Sequence, residues 1–322
     1  MMLGVPVLAA AQGKTAYHYF RSGATADLVT TPQAGFALMG GGTDLDEAFR
    51  WMCERADGGD FLILRATGDD DYNPYVQKLC KLNSVATLIL PSREAASDPF
   101  VAETIAKAEA IFIAGGDQAN YIRYWTGTPV QSGVNAAIRR GVPVGGTSAG
   151  LAVMGEWAYS AEGDKPDDPN LSGKVALADP LGPRVTLVHG FLEIPVLKGI
   201  ITDTHFAKRD RMGRLVVFLA KLQSSDEADI KGIGVDQGAA VLLEPDGQAA
   251  VIGKGAAYLV MPFPPASKLA RGKSLDQANF EVQKVVAGKS FSLPKWCCGE
   301  APYTLIVEKG NLRSFRDRGP IY

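Results

Sequence analysis

The chain has 322 residues, with 33 Lys plus Arg against 35 Asp plus Glu, and a formal net charge of −2 at pH 7. Its 46% hydrophobic and 21% charged residues are typical of a soluble globular protein of one or two domains. The near-neutral charge and the lack of a long Lys/Arg run argue against a nucleic-acid partner, and no run reaches the roughly 18 apolar residues of a membrane span.

Residues 1–34 form a lead-in to the first regular element. Met1–Gln12 is apolar and ends in small residues, like the tail of a secretory signal, but no basic segment precedes it. It fits a signal remnant or an ordinary start, so a secreted or periplasmic location and a cytoplasmic one both stay open. The rest of the lead-in, Gly13–Ala34, is polar and is predicted to be irregular.

Short apolar segments then alternate with segments of helical spacing. The predicted strands are Gly35–Met39, Phe61–Arg65, Val85–Leu90, Ala110–Ala114 and Val142–Gly145. The predicted helices between them are Asp44–Arg55, Pro74–Leu82, Pro99–Ala108, Ala119–Trp125 and Val130–Arg139. Because the strands are continuously apolar, they predict a doubly wound α/β fold, with a mostly parallel sheet flanked by helices. Ligands bind beyond the carboxyl ends of such strands.

The second half of the chain predicts a change of architecture. Gly155–Arg184 is rich in Asp, Pro and Gly and is predicted to be a long surface loop, and a strand (Val196–Thr202) and a helix (Arg209–Leu222) follow. The sheet is predicted to finish antiparallel with the strands Gly232–Asp236, Ala239–Leu243, Ala249–Ile252 and Ala256–Val260. A boundary at Pro262–Pro265 separates the α/β domain, residues 35–264, from a small β-rich C-terminal extension, residues 265–322.

The four cysteines leave two interpretations open. Cys53 and Cys80 lie in separate predicted helices, where a disulfide can form, but buried free thiols are at least as consistent with the sequence. Cys297 and Cys298 are adjacent. The cysteines therefore do not decide the redox compartment.

The most informative motif is Gly146-Thr147-Ser148-Ala149-Gly150. It lies between a predicted strand and an apolar helical run, which is the context of a nucleophile elbow. Glycines permit a tight turn, and the helix N-terminus offers N–H groups and a dipole to negative charge. Ser148 is therefore the candidate nucleophile, and the alternative is a purely structural strand-to-helix turn.

His205 is the candidate base among the three histidines. It follows a predicted strand directly, whereas His18 lies in the lead-in and His189, beside Gly190, is more consistent with a structural role. No histidine follows His205, so an orienting acid most simply comes after it. This order argues against an α/β-hydrolase, in which the acid precedes the histidine.

Three motifs together resemble the S51 serine peptidases, the family of cyanophycinase and peptidase E. They are Gly146–Gly150, Asp203-Thr204-His205-Phe206 and Arg209-Asp210-Arg211-Met212-Gly213-Arg214, and Gly115-Gly116-Asp117-Gln118 is also similar to the cyanophycinase pattern. The resemblance covers about Gly35 to Val260 and implies a fold similar to class I glutamine amidotransferases. It implies Ser148 as nucleophile, His205 as base, and the N–H groups of Gly116 and Ala149 as the oxyanion hole.

The resemblance also implies an acidic or β-aspartyl-linked peptide as substrate. The positions that it places in the substrate pocket are Asp117, Gln118, Asp203, Thr204, Arg211 and Arg214. Arginine suits carboxylate recognition because its planar fork can pair bidentately. On spacing alone, Arg209, Arg211 and Arg214 fit a solvated helix face equally well. We predict no cofactor and no bound metal, and a homodimer stays open.

Gln237 departs from the family pattern. In Gly232-Ile233-Gly234-Val235-Asp236-Gln237 it stands where the family usually has the Glu of its triad. A neutral amide can accept the His Nδ1–H bond, but it cannot offset the imidazolium charge, and it can flip and favour the wrong tautomer. Three hypotheses follow: weak activity, replacement by Asp236 or another acid, and an inactivated pseudoenzyme that binds peptide. An amidotransferase-like hydrolase is disfavoured, because the elbow carries Ser rather than Cys.

Overall fold

The computed structural model describes residues 16–225, 229–263, 269–316 and 319–322, so the predicted signal remnant lies outside the described residues. Within these ranges the strands form one sheet of nine strands and one of eight. The first sheet has the spatial order β1 (His18–Gly23), β4 (Ser84–Ile89), β3 (Asp60–Arg65), β5 (Ala110–Ile113), β6 (Val144–Thr147), β2 (Phe36–Met39), β11 (Ala239–Leu243), β12 (Gln248–Gly253) and β15 (Ser290–Ser292). The second has the order β17 (Asn311–Ser314), β16 (Tyr303–Glu308), β14 (Ala278–Val286), β13 (Ala256–Phe263), β10 (Lys231–Val235), β9 (Ile200–Asp203), β7 (Trp157–Tyr159) and β8 (Leu187–His189).

The centre of the first sheet is the predicted parallel sheet, which confirms the α/β fold. β4, β3, β5, β6 and β2 are neighbours in this order, and each pair is parallel. Along β2, Phe36 and Leu38 pack into one core cluster while Ala37 and Met39 pack into another. Successive side chains of a strand point to opposite faces, so burial of both faces requires the continuous apolar runs seen in the sequence.

Helices cover both faces of this sheet. The helices of the described residues are α1 (Asp46–Arg55), α2 (Tyr72–Leu79), α3 (Arg93–Ala96), α4 (Pro99–Ala106), α5 (Gln118–Trp125), α6 (Pro129–Arg139), α7 (Ala149–Ala152), α8 (Gly173–Ala178) and α9 (Met212–Gln223). On one face, Phe49 of α1 packs against Phe61 and Phe112 of the sheet. On the other face, α3 to α6 share a core cluster with the sheet and with Ile233 and Leu259 of the second sheet. None of the described helices combines the length and the apolar character needed to cross a bilayer.

Disulfides pair all four cysteines. Cys53 of α1 is bonded to Cys80, the residue that follows α2, and Cys297 is bonded to its neighbour Cys298. The free-thiol interpretation of Cys53 and Cys80 is therefore wrong.

The second sheet was not predicted. β11 and β12 extend the first sheet antiparallel, as predicted, but β10 and β13 pair with each other in the second sheet. Short apolar strands do not specify their partners, because pairing depends on contacts made after the chain has folded back. The C-terminal strands continue both sheets: β14 pairs with β13, and β15 pairs with β12.

Two segments predicted to be irregular contain regular elements. The lead-in contains β1, which pairs antiparallel with the edge of the parallel sheet through β4. Gly155–Arg184 contains β7 and α8, which pack near α9, so it is not one long loop. An edge strand with one neighbour and a helix of only six residues carry little periodicity, which explains why both were missed.

Two predicted elements begin later than expected. The strand predicted over Val196–Thr202 starts at Ile200, after a 3₁₀ turn over Pro195–Leu197. The helix predicted to start at Arg209 starts at Met212, because Asp210 is left-handed, with φ 49°. A left-handed residue cannot lie inside a right-handed helix, so the segment between β9 and α9 is a loop.

Candidate active site

The strand–Gly-x-Ser-x-Gly–helix segment forms a tight elbow at the end of β6. Ser148 has φ 53° and ψ −114°, outside the regions that L-residues normally occupy. A Cβ at Gly146 would lie 2.6 Å from the carbonyl carbon of Gly150, and one at Gly150 would lie 2.0 Å from the oxygen of Ile113. Both glycines are thus required sterically, because any side chain would push the turn away from the sheet. Such a strained residue is often found at a functional site.

The helix after the elbow is shorter than the sequence suggested. α7 spans only Ala149–Ala152, about one turn, so its dipole is small. Its first residue, Ala149, lines the same cavity as Gly116 and Ser148. A Cβ at Gly116 would lie 2.9 Å from the Tyr121 hydroxyl, so a larger residue would crowd this wall.

Ser148 and His205 are in direct contact. The distance from Ser148 Oγ to His205 Nε2 is 2.6 Å, within hydrogen-bond reach of a nucleophile and its base. His205 follows β9 of the second sheet. Its backbone N–H donates to the carbonyl oxygen of Gly40 at 2.7 Å. A Cβ at Gly41 would lie 2.5 Å from His205 Cε1, so the glycine turn after β2 makes room for the imidazole.

Gln237 contacts the other side of the imidazole. Its Nε2 lies 2.6 Å from His205 Nδ1. An amide N–H that donates to Nδ1 leaves the ring proton on Nε2, where it faces Ser148 and prevents His205 from acting as a base. A half-turn of the amide brings Oε1 to the same place, accepts the Nδ1–H and frees Nε2. The same contact therefore fits an inactive tautomer and an active one.

The carboxylate of Asp236 is used elsewhere. Its Oδ1 accepts from the N–H of Ala207 at 2.9 Å, and its Oδ2 accepts from the N–H of Ala256 at 3.1 Å and from the Tyr258 hydroxyl at 3.4 Å. The structure thus places Gln237, not Asp236, against His205. Asp236 instead holds the loop that follows the histidine.

The surroundings of His205 favour its neutral form. Burial, followed by the positive charges of Arg209 and Arg211, lowers the pKa of His205 to about 4, while Asp203 acts in the opposite direction. The imidazole is consequently unprotonated near neutral pH, which a base requires. The same positive charges oppose the imidazolium that forms when the base takes a proton.

Asp203 and Arg214 are paired with each other. Arg214 Nε donates to Asp203 Oδ2 at 2.7 Å, and Nη2 donates to Oδ1 in a second bond. Both side chains are 2% exposed, and the guanidinium also lies 5.1 Å from the centre of the Tyr159 ring. This bidentate pair leaves neither charge for a substrate, so the prediction that both bind substrate directly is not supported by the geometry.

Arg211 spans the cavity wall next to this pair. Its Nη1 donates to the carbonyl oxygen and the hydroxyl of Thr204 at 2.9 and 3.0 Å, and its Nη2 donates to Asn170 Oδ1 at 3.0 Å. Burial and the charge of Arg214 lower its pKa to about 9, so it stays cationic at neutral pH. Arg209, which is exposed, donates to the same Asn170 oxygen at 3.1 Å. The solvated-face interpretation is therefore wrong for the buried Arg211 and Arg214, while Arg209 is exposed but lies in the loop before α9.

The cavity has a volume of about 390 Å³. Its lining includes the predicted residues Gly116, Asp117, Gln118, Ser148, Ala149, Thr204, Arg211 and Arg214. It also includes Arg123, Glu162, Asp164, Lys165, Asn170 and Arg209, of which the sequence analysis singled out only Arg209. Asp117 caps α5 by accepting from the N–H of Ala119 at 2.9 Å. For the missed residues within Gly155–Arg184, the signal was the length and composition of that segment, which did not identify individual side chains, and no signal pointed to Arg123.

Comparisons with known proteins agree on one family. The profile of peptidase family S51 matches residues 44–251, a range that contains Ser148, His205 and Gln237. A cyanophycinase of Trichormus variabilis is 32% identical over 179 residues, covering 55% of this chain and 53% of that protein. A cyanophycinase of Thermosynechococcus vestitus is 30% identical over 182 residues, covering 56% and 50%. The chain thus spans about half the length of these curated relatives.

A solved structure has the same fold. The crystal structure of a peptidase from an acI-B1 Actinobacterium superposes with a TM-score of 0.52 at 18% identity, covering 81% of this chain and 98% of that one. At this identity the similarity shows the fold alone. The family profile covers more than half of the chain and includes the serine elbow, and on this ground the chain belongs to peptidase family S51.

Proposed function

We propose that this protein is a serine peptidase that hydrolyses acidic or β-aspartyl-linked peptides, with Ser148 as nucleophile and His205 as base. The observation that carries the proposal is the 2.6 Å contact between Ser148 Oγ and His205 Nε2, with Ser148 lining a cavity that Arg209, Arg211 and Arg214 also line. The names of the cyanophycinase relatives support the substrate class. The family resemblance implies a substrate in which aspartate and arginine are joined by β-linked bonds.

The reaction follows from the positions of these groups. His205 takes the Ser148 proton while the oxygen attacks the scissile carbonyl, and the N–H groups of Gly116 and Ala149 are assigned to the resulting oxyanion. The imidazolium then gives its proton to the leaving amine as the C–N bond breaks. Water attacks the acyl-enzyme by the same route, which releases the acid and restores Ser148.

Charge in the cavity supports an acidic substrate. Asp203 is bonded to Arg214 and its Oδ1 lies 3.6 Å from Arg211 Nη1, so one carboxylate faces two guanidinium groups. Within the described residues the hydrogen bonds of Arg209 and Arg211 go to uncharged oxygens of Thr204 and Asn170. A substrate carboxylate placed beside Arg209 and Arg211 would supply the missing negative charge. It would also reduce the repulsion that opposes protonation of His205.

The second candidate function is a peptide-binding protein without turnover. Its supporting observation is the amide nitrogen of Gln237 at His205 Nδ1, which fits the inactive tautomer. The cavity and its arginines are the same in both candidates. Catalysis therefore depends on the amide orientation, while binding does not.

Labelling and hydrolysis separate the two candidates. A peptidase should react with a fluorophosphonate probe and release aspartate and arginine from a β-aspartyl-arginine dipeptide, and Ser148→Ala should do neither while keeping the parental melting temperature. A binding protein should bind the dipeptide without labelling or hydrolysis. Equal hydrolysis by the parent and by Ser148→Ala would exclude Ser148 as the nucleophile.

A further inference from the structure

Tyr322 packs against the loop that carries the catalytic histidine. Its hydroxyl accepts from the N–H of Met212 at 3.0 Å and donates to Asp210 Oδ1 at 2.8 Å. Its ring meets the rings of Phe206 and Tyr258 edge-on, with centroid distances of 5.9 and 5.7 Å. Phe206 follows His205 directly, so one side chain from far along the sequence contacts both ends of the 205–212 segment.

This loop needs external support. His205 and Asp210 are left-handed, with φ 48° and 49°, although neither is a glycine. Such conformations persist only when surrounding contacts hold them. Asp236 supplies one hold, through the N–H of Ala207. Tyr322 adds contacts at Asp210 and Met212.

Tyr322 also acts as a remote cap for α9. The first N–H groups of a helix have no partner within the helix, and Arg211 at the N-cap position makes no side-chain capping bond. The Tyr322 hydroxyl fills this role for Met212. Burial and the bond to Asp210 raise the pKa of Tyr322, so the hydroxyl keeps the proton that it donates to Asp210.

We propose that Tyr322 is a positioning residue that fixes the His205–Arg211 loop for catalysis and for carboxylate binding. It lies outside residues 44–251, the range that matches the family. The C-terminal extension would thus set the geometry of a site built by the preceding domain. This proposal rests on the proposed function, because it assigns Tyr322 to the placement of His205 and Arg211.

The test removes only the hydroxyl. Tyr322→Phe keeps the ring contacts and deletes both hydrogen bonds. Tyr75→Phe is the matched control, because Tyr75 donates to Asp46 at 2.7 Å in the same kind of bond on α2, outside the cavity. A small displacement of the base from the nucleophile lowers the reaction rate strongly. Tyr322→Phe should therefore react with fluorophosphonate about 10- to 100-fold more slowly than the parent. The control should label within about twofold of the parent, and the two variants should melt at similar temperatures.

Parental labelling by Tyr322→Phe, or equal slowing in Tyr75→Phe, would overturn the proposal. Asp210→Ala removes the acceptor of the Tyr322 hydroxyl and completes a double-mutant cycle with Tyr322→Phe. If the two residues act through their shared contact, the double variant should label no more slowly than the slower single variant. Additive losses would overturn the proposal that Tyr322 acts through Asp210.

A parent that does not label would count against the serine-peptidase proposal rather than against Tyr322. In that case the readout is the affinity of β-aspartyl-arginine, together with hydrogen exchange at the Met212 amide. Tyr322→Phe should weaken binding and speed this exchange, each by about tenfold or more relative to Tyr75→Phe. Unchanged affinity would overturn the positioning role even if exchange increased.

Discussion

In the proposed mechanism, Gln237 determines whether the imidazole of His205 is a competent base. The residue at this position must hold the Nδ1 proton and offset the charge that develops on the ring. An amide can accept the Nδ1 proton in only one of its two orientations, and because it is neutral it cannot offset the ring charge in either. A single position therefore separates a fast peptidase from a slow or silent one.

We expect Gln237→Glu to raise the turnover number by about 10²- to 10⁴-fold, by analogy with the loss on removing a triad acid. The gain should lie in the turnover number rather than in KM, because the carboxylate acts on the transition state. The gain should vanish in the double variant with His205→Ala. An unchanged turnover number with Gln237→Glu would mean that another group already orients the imidazole.

The same substitution should change the pH profile. The pKa of His205 is about 4 in the parent, so the base is neutral above that value and the acidic limb of labelling should lie near pH 4. A carboxylate at Nδ1 favours the imidazolium, so Gln237→Glu should move this limb upward by about one unit or more. Labelling rates measured between pH 3 and 9 test the sign, and a downward movement would contradict the assigned contact.

Arg211 and Arg214 should respond differently to substitution. Arg211→Lys removes the fork that bridges Thr204 and Asn170, so KM should rise more for a peptide with a free carboxylate than for its amide. Arg214→Lys breaks the buried bidentate pair with Asp203 and should mainly lower the melting temperature. Arg93→Lys is an exposed control outside the cavity. Equal effects of Arg211→Lys on both peptides would remove it from the carboxylate site.

At the scale of elements, turns from both sheets meet at the site. The glycine turn after β2 belongs to the first sheet, and His205 follows β9 of the second. Gly41 has φ 90° and nearly touches the imidazole, whereas Gly58 has φ 77° with no heavy atom closer than 3.9 Å to an added Cβ. Both glycines have a positive φ, but of the two only Gly41 lies against the imidazole of His205.

We therefore expect Gly41→Ala and Gly58→Ala each to lower the free energy of unfolding by about 1 kcal/mol or more. Only Gly41→Ala should also lower the labelling rate of Ser148. The Cβ at Gly41 would displace His205, so labelling should fall by about 100-fold. Gly58→Ala should label at the parental rate. Denaturant unfolding and labelling on the same samples test this. Similar labelling by the two variants would show that the glycine turn does not position the base.

The periodicity of the sequence predicted some elements well. The five parallel strands and the helices between them were found within a few residues, because burial of both faces imposes long apolar runs. β1, β7 and α8 were missed, since short or edge elements carry no such pattern. The start of α9 was placed early because spacing alone does not reveal the left-handed Asp210.

At the scale of the whole molecule, the Cys53–Cys80 disulfide joins α1 to the end of α2 across 27 residues. Closing a loop of this size in the unfolded chain stabilises the native state by about 3 kcal/mol. Replacing both cysteines by Ser should lower the free energy of unfolding by about that amount. Labelling of Ser148 in the folded variant should be unchanged, because neither cysteine lines the cavity.

The second disulfide provides the control for this experiment. Cys297 and Cys298 are adjacent, so their bond closes almost no loop. Replacing this pair by Ser should change the free energy of unfolding by much less than the loss at Cys53 and Cys80. Equal losses from the two pairs would contradict the loop-closure explanation.

The sequence by itself determined the parallel core, the serine elbow and the family resemblance. These features are encoded locally, in apolar runs and in motifs with fixed spacing. It also singled out His205 and Gln237, which lie 57 and 89 residues after Ser148 along the chain. Only the tertiary structure brought all three together, paired Asp203 with Arg214, and assigned Asp236 to the loop rather than to the imidazole. The spacing of residues in the sequence does not reveal which residue a buried charge pairs with. That pairing depends on how the two sheets pack, and their strands come from distant parts of the chain.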